Sequence, residues 1–192
     1  MPIEAVTVFC GAKPGLAEQH LRAAGELGRT LARAGLDVVY GGASVGLMGP
    51  LADEALSAGG RVVGVIPESL HAHEGATHPR LTELHVVSDM HRRKAVMADL
   101  GDAFVALPGG LGTVEEFFEV LTWSHLGLHG KPCVLLDSGG YYRHLHAFLS
   151  DAVREGFVTA GTARRLVVCR RVDEVLAALG HPRAHTVVTE RG

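Results

Sequence analysis

The chain has 192 residues, 47% of them hydrophobic and 20% charged, with 18 basic and 21 acidic side chains for a formal net charge of −3. That length suits one globular domain able to bury a core without metal or disulfide staples. The composition excludes a disordered or fibrous chain, and a mildly acidic balance without a basic run argues against nucleic-acid polymers as partners. Glycine is the anomaly: 25 residues, nearly twice the ~7% usual in globular proteins. Proline, at 8, is not raised with it, so the glycines are expected at specific places rather than in a flexible tract.

The first ten residues carry Glu4, lack a basic region and run into apolar residues 6–9, which reads as a first strand rather than a signal peptide. Further strand-length apolar runs follow at 37–40, 62–66, 84–87, 103–107, 133–136 and 166–169. Most are β-branched or Leu throughout, the pattern of strands buried on both faces. Helical patterns lie between them near 17–34, 45–58, 89–101, 113–126, 141–155 and 172–179. This alternation predicts an α/β fold, a parallel sheet with helices on both faces. Residues 1–180 form one expected domain, and 181–192 a polar tail. No run approaches the ~18 apolar residues of a membrane span. Cys10, Cys133 and Cys169 are odd in number and widely spaced, which fits free thiols in a reducing cytoplasm.

The glycines cluster after strands: Gly11 and Gly15 after the first, Gly41 and Gly42 after the second, and Gly109, Gly110 and Gly112 after the fifth. In a parallel sheet these ends share one edge, where ligands bind. The segment Pro108-Gly109-Gly110-Leu111-Gly112-Thr113-Val114-Glu115-Glu116 passes from strand to helix. Its backbone N–H groups and the helix start suit an anion, although an ordinary tight turn would use the same glycines. Neither a Walker A lysine nor G-x-G-x-x-G spacing is present. Thr113 and Glu116 also fit a capping box, with Thr113 at the N-cap. Glu115 and Glu116 are ~100° apart on a helix, so at most one faces a substrate.

On the helix from Asp89, Met90, Met97 and Leu100 recur at helical spacing, and Arg93 falls on the same stripe. An inward arginine needs an anionic partner, whether a ligand or a structural acid. Lys94 is peripheral but within reach of a phosphate. Ser44 reads either as the N-cap of the second helix or as a phosphate donor. Twelve histidines invite a metal reading, but His144 and His146 are two apart on a helix and do not share a face. His71, His73 and His78 have no acid or cysteine at metal-site spacing, so no metal is expected. Glu74, in that polar loop, is a candidate for hydrogen bonding a base or ribose.

Together, Val8-Phe9-Cys10-Gly11, 40–49, Gly64-Val65-Ile66-Pro67, Met90-His91-Arg92-Arg93-Lys94 and 108–116 with Thr122-Trp123 resemble the LOG (Lonely Guy) family of cytokinin-activating phosphoribohydrolases. The family pattern P-G-G-x-G-T-x-x-E is met at every fixed position. The resemblance implies a Rossmann-like, doubly wound fold and hydrolysis of the N-glycosidic bond of an adenine-type nucleoside 5′-monophosphate, without metal or cofactor. It makes Arg93 and Glu116 the catalytic pair and gives the phosphate to Gly109, Gly110, Leu111, Gly112 and Thr113. Gly11, Gly42, Ser44, Glu74, Met90, Lys94, Glu115 and Thr122 complete the implied substrate contacts. A homodimer is implied as well, with the Phe117–Leu121 stretch able to serve the sheet on one side and a partner on the other. The chain departs from the family at Ala12-Lys13, where serines are common, at Ala43 in place of a third glycine, and at Leu111 in place of tyrosine. Many relatives carry an old lysine decarboxylase label, but nothing here supplies the cofactor-binding lysine such chemistry wants. A non-catalytic nucleotide or cofactor carrier on the same fold is the alternative reading.

Overall fold

In the computed structural model, which describes residues 2–72 and 77–180, seven strands form one parallel sheet. They are β1 (Ala5–Phe9), β2 (Asp37–Tyr40), β3 (Val62–Pro67), β4 (Glu83–Val87), β5 (Ala103–Ala106), β6 (Cys133–Leu136) and β7 (Leu166–Cys169). Their order is β4-β3-β2-β1-β5-β6-β7, with every neighbour parallel. The chain winds outward from β1 through β4, then crosses to β5 and winds the other way. This is the doubly wound, Rossmann-like arrangement, and its switch point lies between β1 and β5.

Burial on both faces explains the five inner strands, while the edge strands β4 and β7 are only partly buried, contrary to expectation, because each has a neighbour on one side alone. Val38 and Tyr40 face one core and Val39 the other; Val105 and Phe104 divide in the same way. The first core is covered by α1 (Glu18–Ala34), α2 (Met48–Ser57) and the short α8 (Val175–Ala178). The second is covered by α4 (Met90–Leu100) and α5 (Leu111–His125), with Met97, Phe117, Val120 and Leu121 packed on β3 and β5. Beyond β6 come α6 (Arg143–Arg154) and the one-turn α7 (Ala160–Ala163), and a one-turn α3 (Glu68–His71) follows β3. Neither one-turn helix has enough residues to show a periodic pattern.

Three expectations need correction. The second helix starts at Met48, not 45, with Leu47 as its N-cap, because Gly46 takes a left-handed φ of 59° that a helix cannot include; Ser44 is therefore not the cap. The helical pattern at 172–179 divides into a 3-10 turn, Val172–Glu174, and α8. Met90 and Leu100 do not continue the inward stripe of α4: they are 43% and 37% exposed, against 1% for Met97. The tail from 181 lies outside the described residues, as does Glu74.

α1 ends at Gly35, left-handed at φ 80°, whose N–H returns to the carbonyls of Leu31 and Ala32. Its small residues let it press closely on α2. A β-carbon at Gly28 would collide with the Leu51 carbonyl oxygen. Alanine is normally better than glycine inside a helix by about 1 kcal/mol. Gly28→Ala is nevertheless expected to destabilise the protein by about 1–3 kcal/mol through overpacking, measured by urea unfolding. An unchanged or raised midpoint would show that the helices can part without cost.

Candidate active site

Three loops meet at the carboxyl edge of the sheet. Gly11, after β1, donates its N–H to the Pro108 carbonyl after β5 at 3.1 Å, and its own carbonyl accepts from Leu47 N–H at 2.9 Å. Gly46 lies so close beneath that a β-carbon there would strike the Gly11 oxygen and Ala12 backbone. Between these loops opens a cavity of about 710 Å³.

On its β5 side the wall is the glycine turn. α5 begins at Leu111 with Gly110 as an extended N-cap, and no side chain caps it. This corrects the capping-box reading: Thr113 is the third helical residue, and Glu116 reaches elsewhere. Thr113 is 5% exposed and leans on Gly109, where any β-carbon would collide with its hydroxyl. The helix start leaves its first N–H groups without intrahelical partners, and Gly110, Gly112 and Thr113 line the cavity. This is the local arrangement that favours an anion.

Glu116, with its side chain 11% exposed, meets the Arg93 guanidinium at 3.5 Å. Arg93 is held from several sides. Its Nε donates to the Val65 carbonyl at 3.0 Å, and one terminal nitrogen lies 3.7 Å from the Met90 sulfur. The other terminal nitrogen occupies the space that a side chain at Gly41 would fill. Asp89 caps α4 by accepting from Arg92 N–H at 2.8 Å, which fixes the turn that carries Arg93. Burial pushes the Glu116 carboxyl above its ordinary value of 4.5; Arg93 opposes that rise, while Glu115 adds to it. Cys10, also on the wall, is pushed up to about 12 by burial and by Glu116, so it stays a thiol and is no nucleophile.

Gly11, Met90, Arg93, Gly109, Gly110, Gly112, Thr113 and Glu116 are thus brought to one cavity. Other expected contacts do not line it. Lys94 pairs with Glu115 at 2.5 Å and Glu119 at 3.1 Å, tying α4 to α5. Leu111 is 92% exposed. Thr122 and Ser44 are exposed. Gly42 is buried with φ 78° and gives its carbonyl to His78 N–H at 2.9 Å, a turn residue behind the wall. Lys13, His20 and Tyr141 line the cavity without having been expected to. Tyr141 arrives from beyond β6 with no local motif, and only the adjacency of β6 to β5 signals it. Val45, Leu47, Met48, Ile66 and Leu70 form an apolar wall on the β2 and β3 side.

Among the described residues no group of three His, Cys, Asp or Glu side chains is placed to hold a metal ion. In the same residues no helix is long and apolar enough to cross a membrane.

A family model described as "possible lysine decarboxylase" matches residues 48–179. A curated cytokinin riboside 5′-monophosphate phosphoribohydrolase of Rhodococcoides fascians is 59% identical over 179 residues, 93% of this chain and 90% of the relative. One of the same name from Arabidopsis thaliana is 47% identical over 163 residues, 85% of this chain and 76% of its own length. Among solved structures, the molybdenum cofactor carrier protein of Chlamydomonas reinhardtii superposes with a TM-score of 0.71 at 25% identity, over 92% of this chain and 96% of that one. The molybdenum cofactor binding protein of Rippkaea orientalis shares the fold with a TM-score of 0.70 at 21% identity, over 98% and 99%.

The raised pKa of Glu116 has a consequence for stability. Between pH 4.5 and the higher folded value, the folded chain holds a proton that the unfolded chain has released. Its contribution is therefore full below the unfolded pKa and lost as pH rises through the folded one. Glu116→Gln removes that loss. In urea unfolding the variant is expected to be at least as stable as the parent near about pH 8, and the gap should shrink towards about pH 4. A variant clearly weaker at alkaline pH would mean that the bond to Arg93 outweighs the burial cost.

Proposed function

The chain belongs to the LOG family of phosphoribohydrolases, the family whose model carries the lysine decarboxylase description, and on that premise we propose that it hydrolyses adenine-type nucleoside 5′-monophosphates to free base and ribose 5-phosphate. The observation that carries this reading is the largely buried Arg93–Glu116 pair, which lines the same cavity as the glycine turn. A pure binder has no need of a desolvated carboxylate there.

In this reading the turn at Gly109–Gly110 and the start of α5 take the 5′-phosphate, which positions the ribose by remote binding energy. Water attacks C1′ as the C1′–N9 bond breaks, its electron pair leaving with the base. The base takes up a proton and the water gives one up. Glu116 stabilises the positive charge developing on the ribosyl group or orients the water. Arg93 is anchored from the β2 and β3 side of the cavity, with β1 lying between those strands and the one that leads into the glycine turn. That placement supports a role in base departure rather than in phosphate binding. The apolar wall of Val45, Ile66 and Leu70 on the same side suits an N6-isoprenoid group, so cytokinin nucleotides are the preferred substrates in this reading.

Half-covered Phe118 and Trp123 on α5, with exposed Leu100 at the end of α4 and exposed Leu111 at the start of α5, support a homodimer across the α4–α5 face. A cytoplasmic location is part of the same proposal, supported by the three free cysteines, since disulfides are rare in reducing compartments.

Chromatography after incubation with AMP or N6-isopentenyl-AMP is expected to show free base. Each buried methylene is worth about 0.8 kcal/mol, so the prenylated substrate is expected to be favoured by about tenfold or more in kcat/KM. Glu116→Gln is expected to lower kcat on the order of 10²–10⁴-fold. The activity of the parent should fall on an acid limb above pH 4.5, as Glu116 takes up its proton. Tight binding of the nucleotide without any release of base would favour a carrier instead.

A further inference from the structure

Glycine gives the turn at 109–110 its close approach to a ligand, but also the widest conformational freedom of any residue. Something outside the turn must therefore hold it. Three successive carbonyls leaving β5 are each accounted for. Leu107 accepts from the Tyr142 hydroxyl at 2.7 Å, Pro108 from Gly11 N–H at 3.1 Å, and Gly109 from the Tyr141 hydroxyl at 2.7 Å. Two neighbouring tyrosines thus grip the turn on either side of Pro108.

The tyrosines are themselves braced. Asp137, at the end of β6, accepts Tyr142 N–H at 2.6 Å and donates its own N–H to the Cys169 carbonyl of β7 at 2.7 Å. Gly139 and Gly140, both left-handed at φ 69° and 71°, then turn the chain back over the end of β5. The two rings meet edge to face at 4.9 Å, and His20 of α1 meets Tyr141 edge-on at 5.7 Å. Tyr142 is 4% exposed, while Tyr141 stands on the cavity wall. A trans peptide is planar, with its C=O and N–H opposed. Fixing the Gly109 carbonyl therefore fixes the direction of the Gly110 N–H.

We propose that Tyr141 and Tyr142 are positioning residues for the glycine turn, holding it in the form that receives the 5′-phosphate and so setting affinity for phosphorylated ligands rather than the rate of bond cleavage. The proposal rests on the assignment of the phosphate to this turn.

Tyr141→Phe keeps the ring and removes only the grip on Gly109. The loss of one hydrogen bond is expected to raise KM for AMP, and the dissociation constant of ribose 5-phosphate in calorimetry, by about tenfold. kcat should stay within about threefold of the parent. Tyr142→Phe is expected to weaken ribose 5-phosphate similarly and to lower Tm by about 2–4 °C. Unchanged ribose 5-phosphate affinity in Tyr141→Phe, or a fall in kcat at constant KM, would overturn the inference. A parent that binds ribose 5-phosphate but releases no base would count against the hydrolase reading and leave this one to stand or fall on the calorimetry.

Discussion

One backbone hydrogen bond, from Gly11 N–H to the Pro108 carbonyl, joins the loops after β1 and β5 that both line the cavity. β1 and β5 are neighbours in the sheet, yet the chain leaves them toward opposite faces. Crossovers that part in this way must open a crevice above the strand ends. The bond keeps that crevice narrow at its base, and glycine at position 11 suits it: a β-carbon there would crowd the Lys13 and Pro108 oxygens and the Gly109 backbone. Part of the glycine excess has its place here, where three loops pack against each other at one point.

The second constraint is the burial of Glu116. A carboxylate that far from water is unfavourable, and Arg93 relieves only part of the cost, since the net shift of the carboxyl is upward. Arg93 is fixed in place rather than simply neutralising the acid: a carbonyl from β3, a cap on α4 and an emptied position just after β2 all serve its guanidinium. Active sites store unfavourable electrostatics in this manner when the charge has work to do elsewhere. Lys94, Glu115 and Glu119 do the opposite. They pair among themselves between α4 and α5, with Lys94 only 10% exposed rather than peripheral as expected, and hold together the two helices that carry Arg93 and Glu116.

The sheet was legible because strands buried on both faces leave unbroken apolar runs; each run read in 133–136 or 37–40 has the bounds of its strand. Helix starts were harder. Thr113 and Glu116 have the spacing of a cap, but Gly110 begins the helix first, and the sequence offers no way to see that an uncapped glycine would win. Glu116 and Arg93 could be found from motif and periodicity, although Met90 and Leu100 misled the stripe that flagged Arg93. The tyrosines were beyond reach. Tyr141 acts on a carbonyl 32 residues earlier in the chain, and nothing local ties the two together.

Gly41 shows how a residue can matter through what it lacks. It has no side chain and carries no charge, yet the end of the Arg93 guanidinium occupies the place where its β-carbon would be. The site is in this sense keyed by a hollow. A single added methyl group at 41 would leave the fold, the glycine turn and both catalytic candidates in the sequence, and would still evict the arginine from its seat. Chains that keep every charged residue of the motif but fill that hollow would look like hydrolases on paper and lack the geometry of one.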